Sequence, residues 1–212
     1  MEIKALYYGK PKVLIDQYGK EYRSGIAKEK ASYIKIGKEK IAGDDVENHQ
    51  FHGGADRAIC IYSAERYSFF EKEYNRPLPS CSFGENITIL GMTEENVFIG
   101  DIYKIGEVIV QVSQGRFPCI TIEKRTGFPQ LLKRIVETGY TGYFFRVLKE
   151  GTIEKGDPIK LIDRTKNSLS VMAMHQLYFH EKNQVTLVKK ALENEALAKE
   201  WRDKLQKRLK SK

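Results

Sequence analysis

The chain has 212 residues, 41% hydrophobic and 30% charged, which predicts one medium domain, or one domain with a small appendage, and no membrane-spanning segment. The net charge is +8, and residues 199–212, with seven basic and two acidic residues, hold five of these charges. The body of the chain is therefore not a polyanion binder by composition, and we expect neither a nucleic-acid nor a membrane partner.

The first 163 residues show many short, alternating apolar stretches separated by glycine-containing turns, a pattern typical of β-strands. We predict strands over residues 2–8, 30–36, 57–62, 85–89, 97–99, 103–112, 142–148 and 158–162. Two stretches, 64–74 and 129–138, have helical spacing instead. Many short strands with few helices predict a mostly β fold, a closed or nearly closed β-barrel with helical inserts.

The pattern changes after Asp163. Ser168 or Ser170 can cap a helix that runs to about Phe179, and helical spacing recurs over 185–192 and 196–209. We therefore predict a β-barrel domain over residues 1–163 and a small three-helix domain over residues 164–212. Because so small a unit is marginal alone, we expect it to dock on the barrel.

The cysteines and the N-terminus favour a reducing compartment. Cys60, Cys81 and Cys119 are too few and too widely spaced for a disulfide framework or a CxxC metal site. The chain begins with strand-like alternation and shows no secretory signal, so we predict a cytoplasmic location.

Cys119 follows the strand predicted over 103–112, in the run QVSQGRFPC (111–119). Pro118 makes the end of the strand a rigid platform, and Arg116 favours the thiolate form of the cysteine. A thiolate placed in this way can act as a nucleophile or as a ligand to a soft metal. The alternative is that Cys119 is a small buried apolar residue, as many free cysteines are.

A second segment, HQFHGGADR (49–57), combines histidines, glycines and an arginine. Its two glycines let the backbone approach a ligand closely, and Arg57 offers a fixed fork for a phosphate or carboxylate. A zinc or iron site made from His49, His52 and Asp56 is an alternative, although the glycine pair argues against the helix that a HExxH site needs. A solvent loop without a ligand is the other alternative.

A third segment, FGEN (83–86), supplies Asn86, which can donate to a ligand or simply stabilise a turn. No G-x-G-x-x-G opens a helix after a strand, and neither a Walker loop nor a G-x-S-x-G elbow is present. These absences argue against nicotinamide, nucleoside-triphosphate and serine-hydrolase functions. A papain-like pair of Cys119 and His52 stays open, because such pairs meet in space rather than in sequence.

Four motifs occur in one order and register along the chain: HGGADRA (52–58), FGEN (83–86), IGD (99–101) and QVSQGRFPC (111–119). Together they resemble the MOSC domain, which is found at the C-terminus of molybdenum cofactor sulfurases. The resemblance covers essentially the whole chain and is greatest to the stand-alone bacterial YiiM-like branch, which adds a three-helix domain to the barrel. Gly115 is a departure, since the branch has proline at that position.

The resemblance implies a barrel that binds the molybdenum–pterin cofactor, with Cys119 as the catalytic thiolate and ligand of the metal. It also implies a set of residues that bind the pterin and its phosphate: His52, Gly53, Gly54, Asp56, Arg57, Asn86, Arg116 and Lys124. At the level of the family only, pyridoxal phosphate binding is implied as well.

Two functions are compatible with this resemblance. The first is a molybdenum-dependent reductase of N-hydroxylated small molecules such as hydroxylaminopurines, supplied by an electron-donor protein because the chain has no flavin or nicotinamide motif. The second is a sulfur carrier or a maturation factor for the molybdenum cofactor or metal–sulfur centres, which would carry a Cys119 persulfide and depend on a cysteine desulfurase as sulfur donor. A barrel that merely binds a small anion is the remaining alternative. We favour the reductase, because a metal ligand can lie recessed in a pocket whereas a sulfur carrier needs an exposed thiol.

Overall fold

The computed structural model describes residues 1–50, 52–181 and 183–210. Within these residues lie twelve strands and six α-helices. The strands are β1 (Glu2–Tyr8), β2 (Lys12–Ile15), β3 (Glu21–Ser24), β4 (Glu29–Ala31), β5 (Tyr33–Ile36), β6 (Ile59–Ser63), β7 (Ile87–Leu90), β8 (Ile102–Ile105), β9 (Val108–Gly115), β10 (Tyr143–Lys149), β11 (Gly151–Glu154) and β12 (Ile159–Asp163). The helices are α1 (Ala64–Tyr74), α2 (Thr121–Thr126), α3 (Leu131–Thr138), α4 (Val171–Phe179), α5 (Val185–Glu193) and α6 (Lys199–Lys210).

Eight of the strands form one sheet that curls into a half-barrel, in the order β12–β8–β9–β10–β6–β7–β1–β4. Neighbouring strands are antiparallel except β6 and β7, which are parallel. Alternate side chains point into the curl, so that Val108, Val110 and Val112 of β9 are fully buried. The predicted mostly β fold of the barrel type, with helical inserts and C-terminal helices, is confirmed in this half-barrel form.

Local patterns predicted some elements well and others poorly. The strand predicted over 2–8 and the helix predicted over 64–74 match β1 and α1. The single strand predicted over 103–112 is instead a hairpin of β8 and β9, which turns at Gly106 with a φ of 56°. The strand predicted over 97–99 is wrong: that segment bonds to the segment before α4, and only an isolated bridge between Phe98 and Ser170 forms. The β2–β3 hairpin, β11 and α2 were not predicted.

The three C-terminal helices occur where helical spacing predicts them, and they pack on the half-barrel. Their apolar residues Met174, Val188, Trp201 and Leu205 belong to the same buried cluster as the interior of the sheet. The hydrophobic core therefore continues from the sheet into the helices. No helix in the described part of the chain has the length and apolarity needed to cross a membrane.

Ser170, one of the two predicted caps, begins α4: its hydroxyl oxygen accepts a hydrogen bond of 3.0 Å from the backbone N–H of Ala173. Ser170→Ala leaves that donor without its partner, so we expect the free energy of unfolding to fall by about 1 kcal/mol. Urea unfolding followed by circular dichroism measures this change. Ser170→Asp keeps a capping oxygen and should lie close to the wild type; equal stability of the alanine and aspartate variants would contradict the assignment.

A second apolar cluster lies beneath α1, α2 and α3. Its members include Tyr62 and Phe83, whose rings stack with centroids 3.6 Å apart, and Ile122 of α2, which is 1% exposed. Ile122 is thus the residue that fastens α2, the helix directly after Cys119, to the body of the protein.

Candidate functional site

Cys119 lies between the end of β9 and the start of α2. All three cysteines are free, but only Cys119 is partly exposed, whereas Cys60 and Cys81 are buried. The alternative that Cys119 is a buried apolar residue is therefore wrong. It is the thiol that a reagent, metal or substrate can reach.

The surroundings of Cys119 stabilise its thiolate. A hydrogen bond from the His52 side chain is the largest influence and holds the pKa of the thiol down at about 6; partial burial opposes it, and hydrogen bonds from Thr121 assist. The Thr121 hydroxyl oxygen lies 3.2 Å from the sulfur. Most Cys119 side chains are therefore thiolates at neutral pH. The structure thus brings His52 and Cys119 together, as the open possibility of a Cys–His pair allowed.

Arg116 does not act on Cys119 in the way that its position in the sequence suggested. Its guanidinium turns inward, donates to the carbonyl oxygen of Phe83 and lies 3.9 Å from the sulfur of buried Cys60. Its backbone N–H donates to the carbonyl oxygen of Gly142. Arg116 thus fastens the segment before Cys119 to the sheet, with its guanidinium directed to Phe83 and Cys60.

The glycine pair of the His52 loop adopts backbone conformations that other residues rarely adopt. Gly53 and Gly54 have φ values of 81° and 89°. A Cβ atom added at Gly54 would meet no heavy atom within 4 Å, so this part of the backbone borders open space. A ligand can therefore approach the backbone of the loop closely at Gly54.

Asp56 and Arg57 follow in a short 3-10 turn, and both side chains engage other parts of the chain. The Asp56 carboxylate pairs with Arg146 of β10 at 2.7 Å. Arg57 donates from Nε to the carbonyl oxygen of Gly53 at 2.8 Å and from Nη1 to Glu200 of α6 at 3.1 Å. These bonds fix the conformation of the loop. They do not test the predicted roles of Asp56 and Arg57 in cofactor binding, which stay predictions.

Asn86 is 3% exposed, and its side chain bonds within the protein. Its oxygen accepts from the backbone N–H of Cys60 at 3.0 Å, and its nitrogen donates to Asp44 at 2.9 Å and to the carbonyl oxygen of Tyr7 at 3.3 Å. Asn86 therefore joins β6 to the start of the chain. Its predicted contact with a cofactor stays a prediction.

Lys124 lies on α2, five residues beyond Cys119, with its ammonium 5.5 Å from the centre of the Tyr22 ring in the β2–β3 hairpin.

The alternative zinc or iron site of His49, His52 and Asp56 is not supported: the described residues contain no cluster of three His, Cys, Asp or Glu side chains that could hold a metal ion. His49 instead lies 3.3 Å from Asp45.

Sequence patterns missed three residues around the site. Thr121 lies two positions after Cys119. A hydroxyl residue this close to a cysteine in sequence is a weak indication that it can bond to the sulfur. Glu200 is 143 residues distant in sequence from its partner Arg57, and Trp201 is 86 residues distant from its partner Gly115. No local sequence pattern predicts these two long-range contacts, because they form only when α6 packs on the half-barrel.

Gly115, the departure from the YiiM-like pattern, has a local explanation. Its carbonyl oxygen accepts from the indole N–H of Trp201 at 2.8 Å, and an added Cβ would lie 3.3 Å from Cγ1 of Val171. A side chain at this position would require Val171, at the start of α4, to shift by a few tenths of an ångström, and glycine avoids this shift.

Comparison with known proteins identifies the family. The model of the MOSC domain matches residues 48–160, and that of the YiiM-like, 3-alpha helix domain matches residues 169–212. The chain is 39% identical over 201 residues to the uncharacterized protein YflK of Bacillus subtilis, covering 94% of this chain and 90% of YflK. It is 40% identical over 131 residues to a protein of Gibberella moniliformis called Reductase, covering 59% of this chain and 23% of that longer protein.

A solved structure shows the same architecture. The crystal structure of YiiM from Geobacillus stearothermophilus is 36% identical and matches with a TM-score of 0.83 over 98% of each chain. The MOSC match spans more than half of the chain. The chain therefore belongs to the MOSC domain family, in the YiiM-like branch that carries a C-terminal three-helix region.

Proposed function

We propose that this protein binds the molybdenum–pterin cofactor through the Cys119 thiolate and reduces N-hydroxylated small molecules. The observation that carries the proposal is the environment of Cys119, a partly exposed thiol whose pKa is held at about 6 chiefly by His52. A metal ligand must be a thiolate, and this cysteine is one at neutral pH. Its membership of the MOSC family and its similarity to a protein called Reductase support the same function.

The residues present fit such a cofactor. A soft thiolate donor suits molybdenum, and the backbone at Gly54 borders open space in which a large ligand can approach the loop that carries His52. Arg57 lies in the His52 loop and Lys124 on the helix that follows Cys119, and their positive charge suits the phosphate of the pterin. In this proposal Cys119 holds the metal, Arg57 and Lys124 hold the anionic part of the cofactor, and Arg116 fastens the segment before Cys119.

The reaction consumes two electrons and two protons: the N–O bond of R–NHOH breaks, and R–NH2 and water form. When bound, the cofactor supplies the two-electron oxygen-atom chemistry that no side chain can perform. His52 orients the Cys119 sulfur, and its imidazole is the protein group beside the sulfur that can hold a proton. Because the sequence carries no flavin or nicotinamide motif, we expect a separate protein to deliver the electrons.

An anaerobic assay tests this function. The protein is produced in a host that makes the molybdenum cofactor and is mixed with a hydroxylaminopurine and reduced methyl viologen as an artificial electron donor. We expect viologen oxidation and formation of the aminopurine in a ratio of two viologens to one product. Cofactor-loaded protein that forms no amine from either hydroxylaminopurines or simple hydroxylamines would refute the reductase function.

The partial exposure of Cys119 also favours a second candidate, the carriage of sulfur as a persulfide, since a donor protein must reach the thiol. Incubation with a cysteine desulfurase and cysteine, followed by intact-mass spectrometry, tests it. A carrier gains 32 Da, the mass of one sulfur atom, on Cys119, and the Cys119→Ser protein gains nothing. An unchanged mass of the wild type would remove this candidate.

A further inference from the structure

We infer that the start of α6 positions the Cys119 segment and Arg57 together, so that the C-terminal helices form part of the cofactor site. The inference rests on the proposed function for the identity of the ligand, but its structural basis is separate. Four consecutive residues, 198–201, each bond to one of the two segments that form the site. Ala198 directly precedes α6 and residues 199–201 begin it, whereas the next residue, Arg202, bonds to the end of α5.

The first two of these residues act through their backbone. The N–H of Ala198 donates to the carbonyl oxygen of Ser113 near the end of β9 at 2.9 Å. The N–H of Lys199 lies 3.3 Å from the carboxylate of Asp56 in the His52 loop. A carboxylate at the N-terminus of a twelve-residue helix is stabilised by the helix dipole. The helix thus joins β9 to the His52 loop before any side chain of α6 is considered.

Glu200 makes the same connection through its side chain. One carboxylate oxygen accepts from Nη1 of Arg57 at 3.1 Å and from the amide of Gln114 at 3.2 Å. Gln114 is 1% exposed and lies five residues before Cys119. Glu200 therefore fixes the guanidinium of a predicted cofactor-binding residue relative to the strand that leads to the thiolate.

Trp201 holds the segment closer to the cysteine. Its indole N–H donates to the carbonyl oxygen of Gly115, and its ring stacks on Phe117 with centroids 4.7 Å apart and an interplanar angle of 24°. The ammonium of Lys204, one turn further along α6, lies 4.4 Å from the centre of the same Phe117 ring. Phe117 is two residues from Cys119, and its ring also packs against Tyr178 of α4, so α6 together with α4 holds the segment on that side.

The segment is also held on its other side. Ile122 of α2 is buried in the second apolar cluster, three residues after Cys119. Cys119 therefore lies on a short span between two anchors, Phe117 on α6 and Ile122 in the body of the protein. Loosening either anchor lets the thiolate move relative to His52 and Arg57, and a misplaced ligand binds its metal more weakly.

Trp201 is the only tryptophan of the chain, so its fluorescence reports on this contact. The full-length chain, produced without cofactor, is alkylated with iodoacetamide, which reaches Cys119 and not the two buried cysteines. We expect alkylation to change the Trp201 emission in the wild type and to change it less than half as much in Phe117→Leu. We also expect Cys119 in Phe117→Leu to react roughly two- to ten-fold faster, because the loss of an aromatic pair favours local opening.

Cys119→Ser is the control for this measurement, because its emission should not respond to the reagent. A leucine variant that matches the wild type in both emission response and alkylation rate would overturn the inference. The inference would also be overturned if alkylation of the wild type left its Trp201 emission unchanged.

Cofactor retention tests the role of Glu200. Glu200→Gln removes the charge that orients Arg57, and we expect it to retain roughly two- to ten-fold less molybdenum per chain than the wild type while its melting temperature stays within a few degrees. Glu200→Asp keeps the carboxylate and should recover part of the loss. Asp203→Asn is the matched control: it makes the same chemical change on α6, but the partner of Asp203 is the exposed Lys199.

Equal molybdenum content in Glu200→Gln and Asp203→Asn would overturn the positioning role. The two proposals fail in different ways. If the wild type itself takes up no molybdenum, the proposed function fails, and the fluorescence and alkylation measurements still decide whether α6 positions the Cys119 segment.

Discussion

The Cys119→Ala protein is expected to lose molybdenum and N-hydroxyl reduction together, with activity falling on the order of 10³-fold or more. The reason is that Cys119 is the one cysteine that a metal can reach, and removal of a direct ligand exceeds the ~10–100-fold losses typical of changes in the surrounding shell. Metal analysis by mass spectrometry and the viologen assay, carried out on the same preparation, measure both quantities.

Cys81→Ser is the matched control for this variant. Cys81 is buried and directs its sulfur to the carbonyl oxygens of Ile26 and Glu85, bonds that a serine hydroxyl can also make. The serine protein should keep its molybdenum and its activity. If Cys119→Ala also kept both, Cys119 would be neither the ligand nor the catalytic residue.

The second large effect is expected from His52→Ala on the reactivity of Cys119 in the cofactor-free protein. In the wild type the alkylation rate should rise with pH around pH 6, because the thiolate forms there. Without the His52 hydrogen bond the pKa returns toward or above its usual value of about 8.5, so the rise moves to higher pH. At pH 7 the thiolate fraction then falls from about nine-tenths to a few hundredths. Because a thiolate of higher pKa is intrinsically more nucleophilic, the alkylation rate at pH 7 should fall by less than this, roughly two- to ten-fold.

His49→Ala controls for the removal of a histidine from the same loop. His49 is exposed and pairs with Asp45, so its loss should leave the pH profile of Cys119 unchanged. Thr121→Val should raise the pKa by less than His52→Ala does, since Thr121 has the smaller influence. A His52→Ala profile that still rises near pH 6 would show that another group stabilises the thiolate.

Local sequence periodicity predicted those elements whose pattern is complete within the element. The alternation of β1 and the helical spacing of α1 and of the three C-terminal helices are of this kind. The six-residue helix α2 was missed because it follows Pro118 and contributes one deeply buried apolar residue, Ile122, which leaves no periodic pattern. The segment 97–99 was overpredicted because its buried alternation packs against the linker before α4 instead of pairing in a sheet.

The candidate site was predictable in part. The position of Cys119 after a strand and before a break was visible in the sequence, and the family motifs pointed to the His52 loop. The sequence suggested that Arg116 stabilises the thiolate, whereas in the structure His52 has the largest influence on the pKa of the Cys119 thiol. The error has a physical cause: distance along the chain does not predict side-chain direction, and the guanidinium of Arg116 turns toward Phe83 and Cys60.

The contacts of α6 illustrate the limit of sequence reasoning more generally. Arg57 and Glu200 are 143 residues apart, and each alone resembles an ordinary surface charge. Only the docking of α6 brings them to 3.1 Å and gives the C-terminal helices a part in the site. The many basic residues of α6 predict a helix face exposed to solvent, and they do not predict the contact between Glu200 and Arg57.

The most direct test of the central claim is the molybdenum and pterin content of the wild-type protein purified from a host that makes the cofactor. Elemental analysis and fluorescence of the oxidised pterin, measured on one sample, should give close to one molybdenum and one pterin per chain. Absence of both, in a host whose other molybdenum enzymes are fully loaded, would contradict a cofactor site at Cys119.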